Sequence, residues 1–428
     1  MSALSGFKFT DIYGMMKNIA ITTNQLEKAL DNRCVFDGSS IEGFAKDEDS
    51  DMYLYPDLNT FEIFPWRPQQ GKVARLICDV YRQDGTPFEN DPRHILKKTV
   101  EKAKAMGYQL QVSPKCEFFL FHTDDHGLPT TVSHENAGYF DLGPLDFGEN
   151  ARRDMVLTLE DMGFEIETSH HEAAAAQHEI DFRYDETLAA ADKMMTFKLV
   201  VKTIAKRHGL HATFMPKPIA GVSGSGMHLT MSLEKDGKNV FYNENDSSKL
   251  SDTAHKFTAG LLKYTPDMAC FTNPTVNSYK RFIPGYEAPC YISWSESNRS
   301  LLVRVPSSKK PGDARIELRS PDPTANPYLA LAACLKAGLK GIKDNETLPP
   351  SIDVNIYNLS DKEREALGVK SLPISLNEAI KIARKSEFIS ELLGDKFASS
   401  YFEAKEEEYG EYRRTINQWE IEKYLIAY

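Results

Sequence analysis

Apolar and polar residues alternate through FKFTDIYG, KNIAITT and GKVARLICDVY. A period of two predicts strands across the first ninety residues. DGTPFENDP then breaks the pattern. Asp91 is placed to cap a helix with Pro92 in its first turn, running to about Ala105 before Gly107. The break predicts a domain boundary, with a small unit over residues 1–90 and a larger one over 91–428.

Beyond the boundary, LQVSPKCEFFLFH reads as a strand and NARRDMVLTLEDMG as an amphipathic helix ending at Gly163. ETLAAADKMMTFKLVVKTIAKRHG predicts a long helix closed by Gly209. Met194, Met195 and Phe197 on it are expected in the core rather than in a binding stripe. Asn326 and Pro327 open a further helix, NPYLALAACLKAGLKGI. From Ser375 onward the chain reads as mostly helical and charged, with EAKEEEYGEYRR a solvated face. Strands and helices mix without a repeating βαβ rhythm, which predicts an α+β fold.

Composition narrows the function. A net charge of -11 over 428 residues argues against nucleic acid or an anionic membrane as the main partner. The six cysteines are scattered, with no CxxC pair, as expected of reduced thiols. No apolar run approaches the ~20 residues of a membrane span. No signal segment is read at the start, so the expected compartment is the cytoplasm.

Glutamates recur at the edges of apolar strands: Glu117, Glu172, Glu179 and Glu317, with His228 in GSGMHLTMSL. Together they could build an oxygen-rich site for a hard dication such as Mg²⁺ or Mn²⁺; singly they are surface ion-pair partners. Arg281, Arg299, Arg304 and Arg319 are of the type that clamps carboxylate or phosphate, or are plain surface charges. The glycines of GVSGSGMH suit a backbone close to a ligand, or a simple turn. Lys115 stands two residues before Glu117, so strand alternation puts both on one face.

FDGSSIEGF, FMPKPIAGVSGSGMH, NPTVNSYKRFIPGYEAP, NRSLLVRVP and RIELRSPDPTANPYLALAA together resemble bacterial type I glutamine synthetase of the Gram-positive kind. The resemblance spans nearly the whole chain. It implies a β-grasp domain over 1–90 and a catalytic domain on an antiparallel sheet over 91–428. It implies ATP-dependent joining of glutamate and ammonia, with active sites between subunits of a homo-oligomeric ring, a dodecamer or smaller.

By the same resemblance Glu117, Glu172 and Glu179 hold one divalent ion, and His228 and Glu317 a second. Arg299 and Arg304 face the ATP phosphates, with Glu167 and Ser232 also on the nucleotide, and Arg319 stabilises the transferring group. Ser223, Gly224, Arg281 and Arg299 bind substrate. Asp37, offered by the adjacent subunit, takes a proton from ammonium, and Glu287 sits on a flap that excludes water.

Several positions depart from the family pattern. Lys115 stands where a glutamate normally completes the second metal site, and a protonated lysine cannot ligate Mg²⁺. Its ammonium either replaces part of the metal's charge toward ATP, pairs with Glu117 in a non-catalytic homologue with a regulatory or assembly role, or turns to solvent. Ser223 replaces an asparagine, and Thr230 a histidine or asparagine. HEAAAAQHE has alanines where a Pro-Gly turn is usual; propensity favours helix, but a loop is expected between Glu172 and Glu179. The chain starts at the first strand, without the family's preceding helix, which affects the expected ring. Transfer to a larger amine ranks below ammonia because the Asp37 motif is retained.

Overall fold

A computed structural model describes residues 2–41, 50–67, 71–296, 298, 301–308 and 310–428. The fold is α+β. Strands β1 (Ser2–Thr10), β2 (Met16–Thr22), β3 (Cys34–Asp37), β4 (Asp51–Ile63) and β5 (Lys72–Tyr81) form one sheet in the order β2-β1-β5-β4-β3, with the short helix α1 (Leu26–Leu30) against it. The β1–β5 pair is parallel and the others antiparallel.

Helix α2 (Pro92–Ala105) begins where the alternation breaks, and the Asp91 side chain accepts from the Arg93 N–H at 3.0 Å. Arg93 then joins the two sheets' surroundings. Its guanidinium donates to Asp57 (2.8 Å) and Asp79 (2.7 Å) of the first sheet, and to Asp192 (3.0 and 2.8 Å) of helix α4 (Thr187–Arg207). Tyr328 Oη donates to the same Asp192 at 2.7 Å.

The larger sheet is built around β6 (Gln109–His122). Its neighbours on one side are β8 (Gln177–Phe182) and then β7 (Ile166–His171). On the other side come β11 (Met227–Lys235), Ile316–Leu318, Val303–Arg304 and Trp294–Ser295. The expected antiparallel pairing holds along this row except at its edge, where Trp294–Ser295 and Val303–Arg304 run parallel. Short strands β9 (Asp185–Glu186) and β10 (Leu210–Thr213) also pair with β6.

Helix α3 (Glu149–Asp161) stops before Gly163, and α4 before Gly209, both glycines with positive φ. Met194, Met195 and Phe197 are buried, as expected of a core face. Residues 172–176 form a tight turn between β7 and β8, not a helix, with Ala176 at φ 64°. The Glu172–Gln177 closure outweighs alanine's helical preference.

Helix α5 (Asp252–Thr272) lies against α6 (Pro327–Lys343) at very close range. A Cβ on Gly260 would stand 2.2 Å from the Ala337 carbonyl oxygen, and one on Gly341 would stand 2.1 Å from that of Lys256. The charged tail segment is mostly solvated on its helix, Asp395–Arg414, except for Lys405. That ammonium is buried, paired with Glu408 at 2.7 Å and set over the Tyr13 and Tyr401 rings. No helix among the described residues is long and apolar enough to cross a membrane.

Candidate active site

Cross-strand partners share a face of a sheet. Glu117 on β6 stands opposite Glu179 on β8, and Lys115 opposite His228 on β11; Glu317 stands opposite Thr230 of β11 and Arg304. Asp181 lies two residues beyond Glu179, on the same face. Strand register alone therefore brings these side chains to one wall. All of them but Thr230 line a cavity of about 700 Å³ whose other walls carry Glu172, Ser223, Gly224, Arg281, Glu287 and Arg319.

The cavity has an acidic half and a cationic half. Glu117, Glu179 and His228 hold ligand atoms all within 4.8 Å of one another. Glu117 accepts from Gln177 Nε2 and from the Gly226 N–H, both at 2.9 Å. Burial, and then the Glu179 charge, pushes the Glu117 carboxyl up to about 8. Burial, followed by Glu117 and Glu179, pushes Glu172 up to about 9. Burial and then Arg319, Arg281 and Lys115 hold the His228 imidazole well below its ordinary value, so it is neutral.

On the cationic side Arg304 and Arg319 take both oxygens of Glu317, at 3.0 and 3.2 Å. The buried Arg281 donates to the carbonyls of Ser320 (2.7 Å), Arg319 (3.0 Å) and Pro321 (3.2 Å), which fixes its guanidinium at the cavity wall.

Lys115 settles among the carboxylates of β8. Its Nζ donates to Asp181 Oδ2 at 2.5 Å and lies 3.8 Å from Glu179. This corrects two sequence readings, pairing with Glu117 and turning to solvent. The antiparallel β6–β8 register continues from Glu117–Glu179 and Cys116–Ile180 to set Asp181 across from Lys115. Burial works against the ammonium, but Asp181 and Glu179 outweigh it and raise its pKa above the ordinary lysine value.

The two halves differ as cation sites. Two buried carboxylates, Glu117 and Glu179, with the half-buried Glu172, two of the three driven toward protonation, match the donor set of a hard divalent ion. His228 shares the ligand cluster of Glu117 and Glu179, whereas Glu317 is already taken by Arg304 and Arg319, which supply positive charge there. A further cluster, Glu135, His171 and His178, has an Arg152 nitrogen 2.9 Å from His178 Nδ1, a cation in place of a metal.

Not every expected residue comes to this cavity. Asp37 is exposed at the end of β3 and outside the lining; hydrogen bonds from Ser39 and Ser40 hold its carboxyl below the usual range. Glu167 is exposed on β7, beside the lining residues Thr168 and Ser169. Ser232 is half-buried on β11, four residues beyond His228 and outside the lining. Arg299 lies outside the described residues. Sequence reasoning missed Asp181, Gln177 and His170, whose Nε2 lies 3.4 Å from Glu179. Strand alternation from Glu179 is the signal that could have found Asp181 and Gln177.

Residues 89–424 match the glutamine synthetase catalytic domain, and residues 4–83 match the glutamine synthetase β-grasp domain. The chain is 58% identical over 421 residues to glutamine synthetase of Clostridium saccharobutylicum, covering 98% of this chain and 95% of that protein. It is 54% identical over 422 residues to glutamine synthetase of Staphylococcus aureus, covering 98% and 94%. Among solved structures, a GmaS complex with ADP superposes with a TM-score of 0.90 at 30% identity, covering 99% of this chain and 97% of that one. Glutamine synthetase of Plasmodium falciparum gives 0.87 at 26%, covering 99% and 96%. With both domains matched in order and two relatives above half identity across nearly their full length, the chain belongs to the glutamine synthetase family of enzymes.

Proposed function

We propose that the protein makes glutamine from glutamate and ammonia through a γ-glutamyl phosphate, with one divalent ion on the acidic side and the Lys115 ammonium in place of a second. The observation that carries this reading is the division of one cavity into a carboxylate half and an arginine half. A bound Mg²⁺ or Mn²⁺, held by Glu117, Glu172 and Glu179, supplies charge screening for the phosphates.

The chain's own groups do the rest. Arg281, Ser223 and Gly224 bind glutamate and orient its γ-carboxylate. That oxygen attacks the terminal phosphorus of ATP and ADP leaves, with Arg304 and Arg319 stabilising the charge on the transferring group. Asp37 of a neighbouring subunit takes a proton from ammonium; its exposure outside its own chain's cavity supports that assignment. Ammonia then attacks the γ-carbonyl carbon and phosphate leaves, while Glu287 on its loop keeps water away. Glu167, beside the cavity, and Ser232, farther along β11, belong to the nucleotide end. Glu317 orients Arg304 and Arg319, and His228 stands between Glu117 (3.8 Å) and Glu317 (3.5 Å). The proposed setting is a cytoplasmic homo-oligomer.

The engagement of Lys115 by Asp181 and Glu179 favours a second reading, a homologue in which the chemistry is switched off. Phosphate release and glutamine formation, measured with ATP, Mg²⁺, glutamate and ammonia, separate the two when the protein is compared with its Lys115→Glu variant. Turnover by the unmodified chain supports the ligase; turnover only after Lys115→Glu supports the silent homologue.

A further inference from the structure

Lys217 is 7% exposed and forms no ion pair with a carboxylate among the described residues. A buried ammonium needs compensation, and here two groups provide it. The Nζ donates to the Val222 carbonyl and sits over the Tyr286 ring, 4.2 Å from its centroid. Burial, and then the Arg281 charge, lowers its pKa.

These contacts join two walls of the cavity. One is the loop that presents Ser223 and Gly224. It is wound tightly: Ser225 N–H donates to the Pro216 carbonyl at 2.8 Å, and a Cβ on Gly224 would stand 2.3 Å from that same oxygen. Asn277 fixes its root, accepting from the Lys217 N–H (2.8 Å) and donating to its carbonyl (3.0 Å). The other wall is the loop carrying Glu287. Its far end is tied down by Tyr357 Oη, which donates to the Ala288 carbonyl at 2.8 Å. Around Tyr286 the backbone is under strain or unusually free: Gly285 has φ 96° and Glu287 φ 59°, the left-handed region that a non-glycine residue enters at a cost. A contact at Tyr286 is what can hold Glu287 in that conformation.

We propose that Lys217 is a positioning residue for the reaction: by seating Tyr286 it holds the Glu287 loop against the glutamate-binding loop, so that the acyl phosphate meets ammonia rather than water. This rests on the ligase reading above. When the loop is loose, a water oxygen attacks the γ-carbonyl carbon and the carbon–oxygen bond to phosphate breaks. Glutamate and phosphate are then released, and ATP is consumed without glutamine.

The test is the ratio of phosphate released to glutamine formed, in K217M, K217R, Y286L and the K217M/Y286L double variant. Loss of a desolvated cation–π contact predicts an about fivefold rise in the fraction lost to water in K217M and in Y286L. K217R should restore most of the coupling, and the double variant should be no worse than the poorer single. An unchanged ratio in both single variants, or additive losses in the double, overturns the proposal. If the unmodified protein makes no glutamine, the ligase reading fails on its own. The latch is then read by amide hydrogen exchange over residues 283–288, with residues 149–161 as the control for folding. Faster exchange in K217M and Y286L at 283–288 alone supports the latch, and equal exchange overturns it. Y286L decides the matter if K217M does not fold.

Discussion

Glu135 and His171 are joined at 2.7 Å from Nε2 to Oε1, and the other ring nitrogen of His171 lies 2.7 Å from the carbonyl oxygen of Glu172. Both nitrogens face acceptors, which requires the imidazolium. Burial opposes that charge, but the Glu135 and Glu172 hydrogen bonds raise the His171 pKa above the ordinary value. Glu135 also accepts from the Ala176 N–H, and from Phe147 N–H at 2.8 Å, so one carboxylate fixes the whole turn that carries Glu172. Outer groups that orient metal ligands are worth about ten- to a hundredfold in affinity. Glu135→Ala should weaken Mn²⁺ binding by that order, read by calorimetric titration, while Glu135→Asp should retain part of it.

Lys115→Glu exchanges a cation for an anion beside Asp181 and Glu179. For a +2 ion about 5 Å away at a water-like dielectric, the change is roughly 3 kcal/mol, on the order of a hundredfold in affinity. The variant should bind one more Mn²⁺ per subunit than the unmodified chain. Equal stoichiometry in the two would remove Lys115 from its place in the charge balance.

Glu117 and Glu172 titrate near 8 and 9 in the folded, metal-free chain, well above their unfolded values. The folded state thus holds more protons than the unfolded one from about pH 4.5 upward. The contribution of these two groups to stability should be fullest below that pH and fall as pH rises toward 8 to 9, by on the order of a few kcal/mol. Saturating Mg²⁺ should flatten the slope, because the ion replaces the protons. Thermal melts at pH 5, 7 and 8.5, with and without Mg²⁺, check both the sign and the cancellation.

Arg93 is 2% exposed and holds Asp57, Asp79 and Asp192 together. Removing one member of a buried charge network leaves the others unpaired, at about 3–5 kcal/mol. Arg93→Met should lower the urea midpoint accordingly. Arg93→Met/Asp192→Asn should recover part of the loss, which distinguishes the charge network from simple packing.

The α5–α6 contact admits no extra carbon at Gly341, whereas the nearest atom to a Cβ on Gly410 is the end of the Arg414 side chain, 3.6 Å away. Gly341→Ala should destabilise by about 1–3 kcal/mol through overpacking. Gly410→Ala should be neutral or stabilising by about 0.5–1 kcal/mol through helix propensity. Opposite shifts in melting temperature are the expected result.

Local chemistry made much of this fold legible. Asp91–Pro92 and Asn326–Pro327 cap helices as their residue types require, and alternation placed β6 with Lys115 and Glu117 on one face. What stayed hidden depends on partners distant in sequence. Helix α5 contains Pro266, a breaker by local rules, yet packing against α6 sustains it. The tight approach at Gly260 and Gly341 is set by helix pairing, which no window of residues contains. In the site, Glu117, Glu172, Glu179, His228 and Glu317 were named from the sequence and family resemblance, and the cavity gathers them. The partner of Lys115 was not named correctly, because the choice of Asp181 over Glu117 depends on the β6–β8 register, which sets Asp181 across from Lys115.

A diffusible ion is present in proportion to its free concentration and can be chelated or exchanged for a competitor. The Lys115 ammonium is covalently tethered and held at 2.5 Å by Asp181. Under the proposed ligase reading, the positive charge that Lys115 adds to that of Arg304 and Arg319 is installed at translation and is not removed by chelation.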